Sequence, residues 1–294
     1  QAMPEYFARL TYVFLTCESP QHSSFQPIPL FLNNIFEAPA FSRVMSFFPT
    51  FWQMIQQSRV EQLSTFTSQA MPFKALVEVG FWDTHSVSED SLIFWKFYFH
   101  YNGNWRTEPL HYPVSMDANA APNLWKTFVN IYKQQRRWAW GAENIPYMLY
   151  GFIKNKKIPF RKKMFWSFVF IEGFWSWTTS PFILLILGWL PSLIGGYEYN
   201  VSLLAYNLTK VTSPIINLTL AGIIASSVLS VSLLPPKPIW FKRKHYIFYF
   251  IQWLLVPFVI ISFSAVPAVD SQTRLMLGGK FRLGFWPTPK IRKV

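Results

Sequence analysis

An α/β layered domain followed by a helical transmembrane region is the fold the sequence predicts. Three observations carry that expectation. Residues 1–145 alternate helical patterns with short extended, Pro-broken stretches, the pattern of an α/β layer structure. Three later runs, 165–196, 214–234 and 246–268, are each long enough to cross a bilayer core, which needs about 20 apolar residues. Composition agrees: 51% of the 294 residues are hydrophobic, 19% aromatic and only 14% charged, against about 25% charged in a soluble domain. Such a chain is not disordered, and with Cys17 as its single cysteine it is not a disulfide scaffold.

The elements follow in order. Residues 5–15 read as a helix entered after Pro4. Residues 16–30 are loop or short strand, because Pro20, Pro27 and Pro29 interrupt them. A helical pattern over 40–63 is expected to break near Pro49. Weak alternation in LSTFTSQAM, 63–71, suggests a strand. Pro72 opens a short helix and Gly80 closes it with a left-handed cap. Residues 88–100 form a helix with Ser88 as N-cap and Glu89 and Asp90 in its positive first turn. Asn102-Gly103 marks a turn, an extended piece follows, and 122–139 are helical again.

Charge divides the chain. Residues 1–120 hold ten acids and six Lys/Arg, net −4; residues 121–294 hold four acids and twenty-one Lys/Arg, net +17. Basic clusters beside apolar runs indicate a membrane protein with its cations on the cytoplasmic side, not a nucleic-acid binder. The segments 154–163 and 237–244 are therefore assigned to the cytoplasm. Three crossings would leave the tail outside, yet the tail carries Arg274, Lys280, Arg282, Lys290, Arg292 and Lys293 and belongs inside. Either 165–196 crosses twice, or 246–268, interrupted by Pro257, does not cross fully.

Three clusters carry chemistry. Glu89 and Asp90 neutralise a helix dipole, worth under about 1 kcal/mol, or supply a general base that takes a proton from an acceptor hydroxyl. Gln134, Gln135, Arg136, Arg137 and Trp138, followed by Trp140, form a cationic helix end or a platform for sugar and phosphate. The Q-x-x-R-W spacing puts Gln134 and Arg137 on one helical face. The tail GKFRLGFWPTPKIRK is a cationic loop: an anchor for anionic headgroups, or a flap over a charged substrate. Glu172 is the main charge expected inside the apolar runs. Five His and one Cys have no metal-ligand spacing.

Together these residues resemble the family 2 glycosyltransferases of the cellulose synthase type. That family's T-E-D motif is matched by Ser88-Glu89-Asp90, its Q-x-x-R-W motif by Gln134–Trp138, and its F-x-V-T-x-K gating loop by Phe285–Lys290, with Pro287 in place of Val. The resemblance implies a partial GT-A-like catalytic domain over 1–145, a basic amphipathic interface segment over 146–163, transmembrane helices over 164–268 and a cytoplasmic gating-loop-like tail over 269–294. It implies Asp90 as catalytic base with Glu89 beside it. Gln134, Arg137 and Trp138 would hold acceptor sugar and donor diphosphate. Phe285, Thr288 and Lys290 would close over the nucleotide.

The implied reaction is inverting transfer from a nucleotide-sugar donor to a growing glycan acceptor. The implied setting is the plasma (inner) membrane, multi-pass, with the catalytic part cytoplasmic and room for an accessory synthase subunit. The family's Mg2+ or Mn2+ is held by an upstream D-x-D that this chain does not contain, so the sequence reads as the C-terminal portion of a longer synthase, inactive alone. Two alternatives stay open: single-sugar transfer to a polyprenyl phosphate lipid, and a non-enzymatic membrane transporter or scaffold.

Overall fold

The computed structural model describes residues 1–188, 190–284 and 286–289. It is mostly helical, with one two-stranded parallel sheet and three helical stretches long and apolar enough to span a membrane among the described residues. The helices that build the first part are α1 (Tyr6–Thr16), α2 (Ala40–Gln57), α3 (Phe73–Glu78), α4 (Glu89–His100), α5 (Leu124–Ala139) and α6 (Asn144–Lys154). The strands are β1 (Ser23–Leu30) and β2 (Arg106–Ser115).

β1 and β2 pair in register from Ser23 opposite Arg106, with a shift between Gln26 and Ile28. Pro27 and Pro29 cannot donate to the ladder, and His111 takes a φ of 47° at the irregularity. The Gln57 side chain fills the gap. Its Oε1 accepts from the His111 N–H at 2.9 Å and its Nε2 donates to the Gln26 carbonyl at 2.7 Å. α2 runs through Pro49 without a break, contrary to expectation. One lost backbone bond costs less than freeing an 18-residue helix that buries Val44 and Phe47 on one face and anchors Gln57 in the sheet.

Residues 63–71 also depart from the expected strand. Only Ala70 pairs with the sheet, bridging Phe25. The Gln26 side chain occupies the rest: its Oε1 accepts from the Phe66 N–H at 2.7 Å and its Nε2 donates to the Thr67 carbonyl at 3.1 Å. Residues 72–80 follow the expected helix and left-handed Gly80, φ 74°.

Beyond α6 come α7 (Phe160–Gly188), α8 (Leu190–Ile194), α9 (Gly196–Asn200) and α10 (Leu203–Ser232). Pro181 and Pro214 lie inside α7 and α10. Glu172 is exposed on α7, not buried as the sequence suggested. The third apolar stretch, Arg243–Leu277, is α11 (Arg243–Ile251), α12 (Val256–Ile260) and α13 (Val266–Leu277), joined by a 3-10 turn before Pro257 and a π turn before Pro267. Each proline removes a helical donor, and the turns absorb the mismatch.

This third stretch differs from the other two by packing on the first part of the chain along its length. Arg43 of α2 donates to Gln252 at 2.7 Å and lies over the Tyr249 ring at 4.4 Å. Trp253, Val259 and Phe263 share one core with Val44, Phe47 and Ile131. A second core joins α4, α6 and the start of α7 through Trp95, Phe152 and Trp166, and a third seats α1 on the sheet through Tyr6, Phe25 and Leu110.

Candidate functional site

The site forms where the N-terminus of α4 meets the C-terminus of α5. Ser88 is the N-cap residue of α4, but its side chain makes no capping bond. Its hydroxyl instead donates to Glu143 Oε1 at 2.6 Å. Glu89 and Asp90 follow in the first turn. A helix N-terminus favours a carboxylate, yet burial dominates at Asp90. It pushes the carboxyl up to about 6; neighbouring Glu89 adds to the rise and the Arg137 guanidinium opposes it. Arg137 shows the reciprocal effect: burial lowers its pKa, and Glu89 and Asp90 act against that.

Segment 65–69 fastens this charged group to the indole of Trp138. Thr65 Oγ1 donates to the Asp90 carbonyl at 2.7 Å and Gln69 Nε2 donates to the same oxygen at 2.8 Å. Between them Phe66 meets Trp138 edge-on with ring centroids 5.8 Å apart. Phe31 packs near the indole at 6.2 Å. One turn back on α5, Gln134 and Gln135 are buried. They share a small cleft with Trp138, Phe31, Ser46 and Asn119. Asp90 is not among the residues that line that cleft. The structure thus brings Asp90, Glu89 and Arg137 into one electrostatic group, and Gln134 and Trp138 into one adjoining cleft.

Arg136 takes no part in either. It donates to Asp270 Oδ2 of α13 at 2.9 Å, and Tyr132 and Arg274 bond the same carboxylate. α5 is therefore anchored to α13 through Arg136 and Tyr132, while Arg137 on its last turn feels the charges of Glu89 and Asp90. The tail also returns to α5: Lys133 Nζ lies 5.1 Å from the Trp286 ring centre, and Asn130 Nδ2 donates to the Pro289 carbonyl at 3.5 Å. Thr288 stands between those contacts with its hydroxyl oxygen buried. Phe285 and Lys290 lie outside the described residues.

Glu143 was not singled out in the sequence, since an acid after Trp-Gly-Ala belongs to none of the motifs found there. Its one signal was its place six residues past Arg137. It ends a 3-10 turn (Trp140–Glu143) that abuts the loop before α4.

Comparison with known protein families gives a match over most of the chain. The family described as Glycosyl transferase family group 2 matches residues 3–265. The chain belongs to that family. No curated protein and no solved structure matches the transferase. Family membership implies a sugar donor and an acceptor. Relatives commonly use a divalent metal, but the residues described do not form a site for one. No three His, Cys, Asp or Glu side chains converge among them, and the Glu89–Asp90 pair faces a guanidinium that would repel a cation.

Proposed function

We propose that the transferase is a membrane-bound, inverting, processive synthase of the cellulose synthase type, adding sugars to a growing polysaccharide. One observation carries this reading: a half-buried carboxyl at Asp90, pushed up to about 6, faces Arg137 one residue before the Trp138 platform. A base with a pKa near the working pH is ionised yet basic enough to take a proton in the transition state. Asp90 accepts the proton of the acceptor hydroxyl as that oxygen bonds the anomeric carbon. The bond from that carbon to the diphosphate breaks on the opposite face, and the nucleoside diphosphate leaves. One displacement gives inversion.

In this reading Arg137 balances negative charge near the acids. Trp138 stacks on the acceptor ring, and Gln134 supplies paired hydrogen bonds from the cleft. The tail, already laid on α5 at Lys133 and Asn130, closes over the nucleotide through Thr288.

The packing supports two crossings, α7 outward and α10 back. Arg243–Leu277 would then lie along the cytoplasmic face against α2 and α5. That arrangement keeps 154–163, 237–244 and the cationic tail on one side, which satisfies the positive-inside rule.

The experiment is transfer from radiolabelled UDP-glucose, UDP-N-acetylglucosamine and GDP-mannose by membranes carrying the full-length protein, with the product sized. A long glycan supports the proposal. A lipid carrying one sugar selects polyprenyl phosphate as acceptor, and no transfer from any donor leaves the transporter or scaffold reading ahead.

A further inference from the structure

One carboxylate outside the residues assigned above stands where the two motifs meet. Glu143 Oε1 accepts from Ser86 Oγ at 2.7 Å and from Ser88 Oγ at 2.6 Å. Its Oε2 accepts from Trp140 Nε1 at 2.8 Å. The Ser88 N–H in turn donates to Ser86 Oγ at 3.2 Å, which orders the loop entering α4. The next residue repeats the connection: Asn144 Nδ2 donates to Ser91 Oγ at 2.7 Å. Five bonds thus organise a junction two residues from Asp90 on one chain segment and six from Arg137 on the other.

Glu143 makes no ion pair among the described residues. Its charge is met by two hydroxyls and one indole N–H, donors whose bonds to a carboxylate are roughly twice as strong as neutral ones. A purely structural clamp here needs no charge. An ionised acceptor, however, draws all three donors at once and fixes their hydrogens, which a neutral amide cannot do for the indole and both serines together.

We propose that Glu143 is a positioning residue of the transfer reaction: it locks the first turn of α4, with Glu89 and Asp90, against the helix end that carries Arg137 and Trp138. The proposal rests on the reading of Asp90 as the base. Glu143 touches no substrate in it and acts through Ser86, Ser88 and Trp140.

The test uses the full-length protein in membranes and has two arms. Infrared difference spectra against pH follow the Asp90 carboxyl without turnover, its band identified by loss in Asp90→Asn. In Glu143→Ala water enters the junction, and the band should titrate lower than in the parent protein by about half a pH unit or more. Turnover with the three labelled nucleotide sugars should fall roughly ten- to a hundredfold in kcat, with donor KM little changed, since a misplacement of about 1 Å costs that much. The pair Ser86→Ala with Ser88→Ala should reproduce the loss, and adding Glu143→Ala to it should cost nothing further. Glu143→Gln, which still accepts from the serines, should recover part of the rate. An unmoved band with unchanged kcat, or losses that simply add, would overturn the proposal. If the parent protein transfers no sugar, the reading of function fails, while the infrared arm still decides what Glu143 does.

Discussion

Replacing Asp90 by Asn separates the proposed base from its cost. The carboxyl, ordinarily at 3.8, is pushed up to about 6 in the folded chain. At about 1.4 kcal/mol per pH unit, ionising it in place costs up to about 3 kcal/mol, and water reaching a half-buried group trims that to about 2 kcal/mol. The sign follows from proton binding. The folded state holds this proton more tightly than the unfolded one, so the parent protein loses stability as pH rises from about 3.8 through about 6. Asn carries no such proton and escapes the loss. Asp90→Asn should therefore unfold a few degrees higher than the parent at pH 7.5, with the gap closing toward pH 4. Sugar transfer should meanwhile fall by about 10²- to 10⁴-fold, the usual worth of a general base. Thermal unfolding of detergent-solubilised protein at several pH values, beside transfer assays on the same preparations, measures both. Undiminished transfer would refute Asp90 as base. A stability gap that ignores pH would refute the burial argument.

Three further outcomes follow from neighbouring contacts. Arg137→Ala removes the charge that holds the Asp90 carboxyl down, so the acid limb of the pH–rate profile should move to higher pH than in the parent; a limb that stays put would detach Arg137 from the base. Trp138→Ala deletes the partly buried ring packed on Phe66 and Phe31, at less than the about 3 kcal/mol that truncating a fully buried aromatic costs; acceptor KM should rise more than donor KM, read from separate titrations. Cysteines placed at Lys237 and Lys280 should label from the same side of sealed vesicles. Labelling from opposite sides would mean that Arg243–Leu277 crosses.

The parts of the site that local chemistry determines were legible in the sequence. A helix beginning at Glu89 announces itself by the acids of its first turn, and another ending in Q-x-x-R-W by its period and its terminal cations. What joins them was not legible, because the partners are far apart in the chain. Segment 63–71 alternates like a strand, but the Gln26 side chain takes the backbone groups a neighbouring strand would have used. The hydroxyl of Ser88 looks like a cap and serves Glu143, 55 positions later. Pro49 looks like a break and is overruled by the burial of Val44 and Phe47. The run at 246–268 has the composition of a span, and its contacts with the first part of the chain, among them Arg43, Phe41 and Phe128, set it apart from α10 and most of α7.

Those same contacts bear on biosynthesis. Arg43 and Gln252 are separated by 209 positions, and both long hydrophobic hairpin arms are translated between them. Val44, Phe47 and Ile131 stay uncovered on the nascent polypeptide until the segment beginning at Arg243 leaves the ribosome. Late closure of this kind leaves apolar surface open to wrong partners while synthesis continues. On the proposed two-crossing arrangement, insertion of α7 and α10 into lipid would come before the part that carries Asp90 can finish folding, and an error in that insertion would reach Gln134 and Trp138 through an unsealed core.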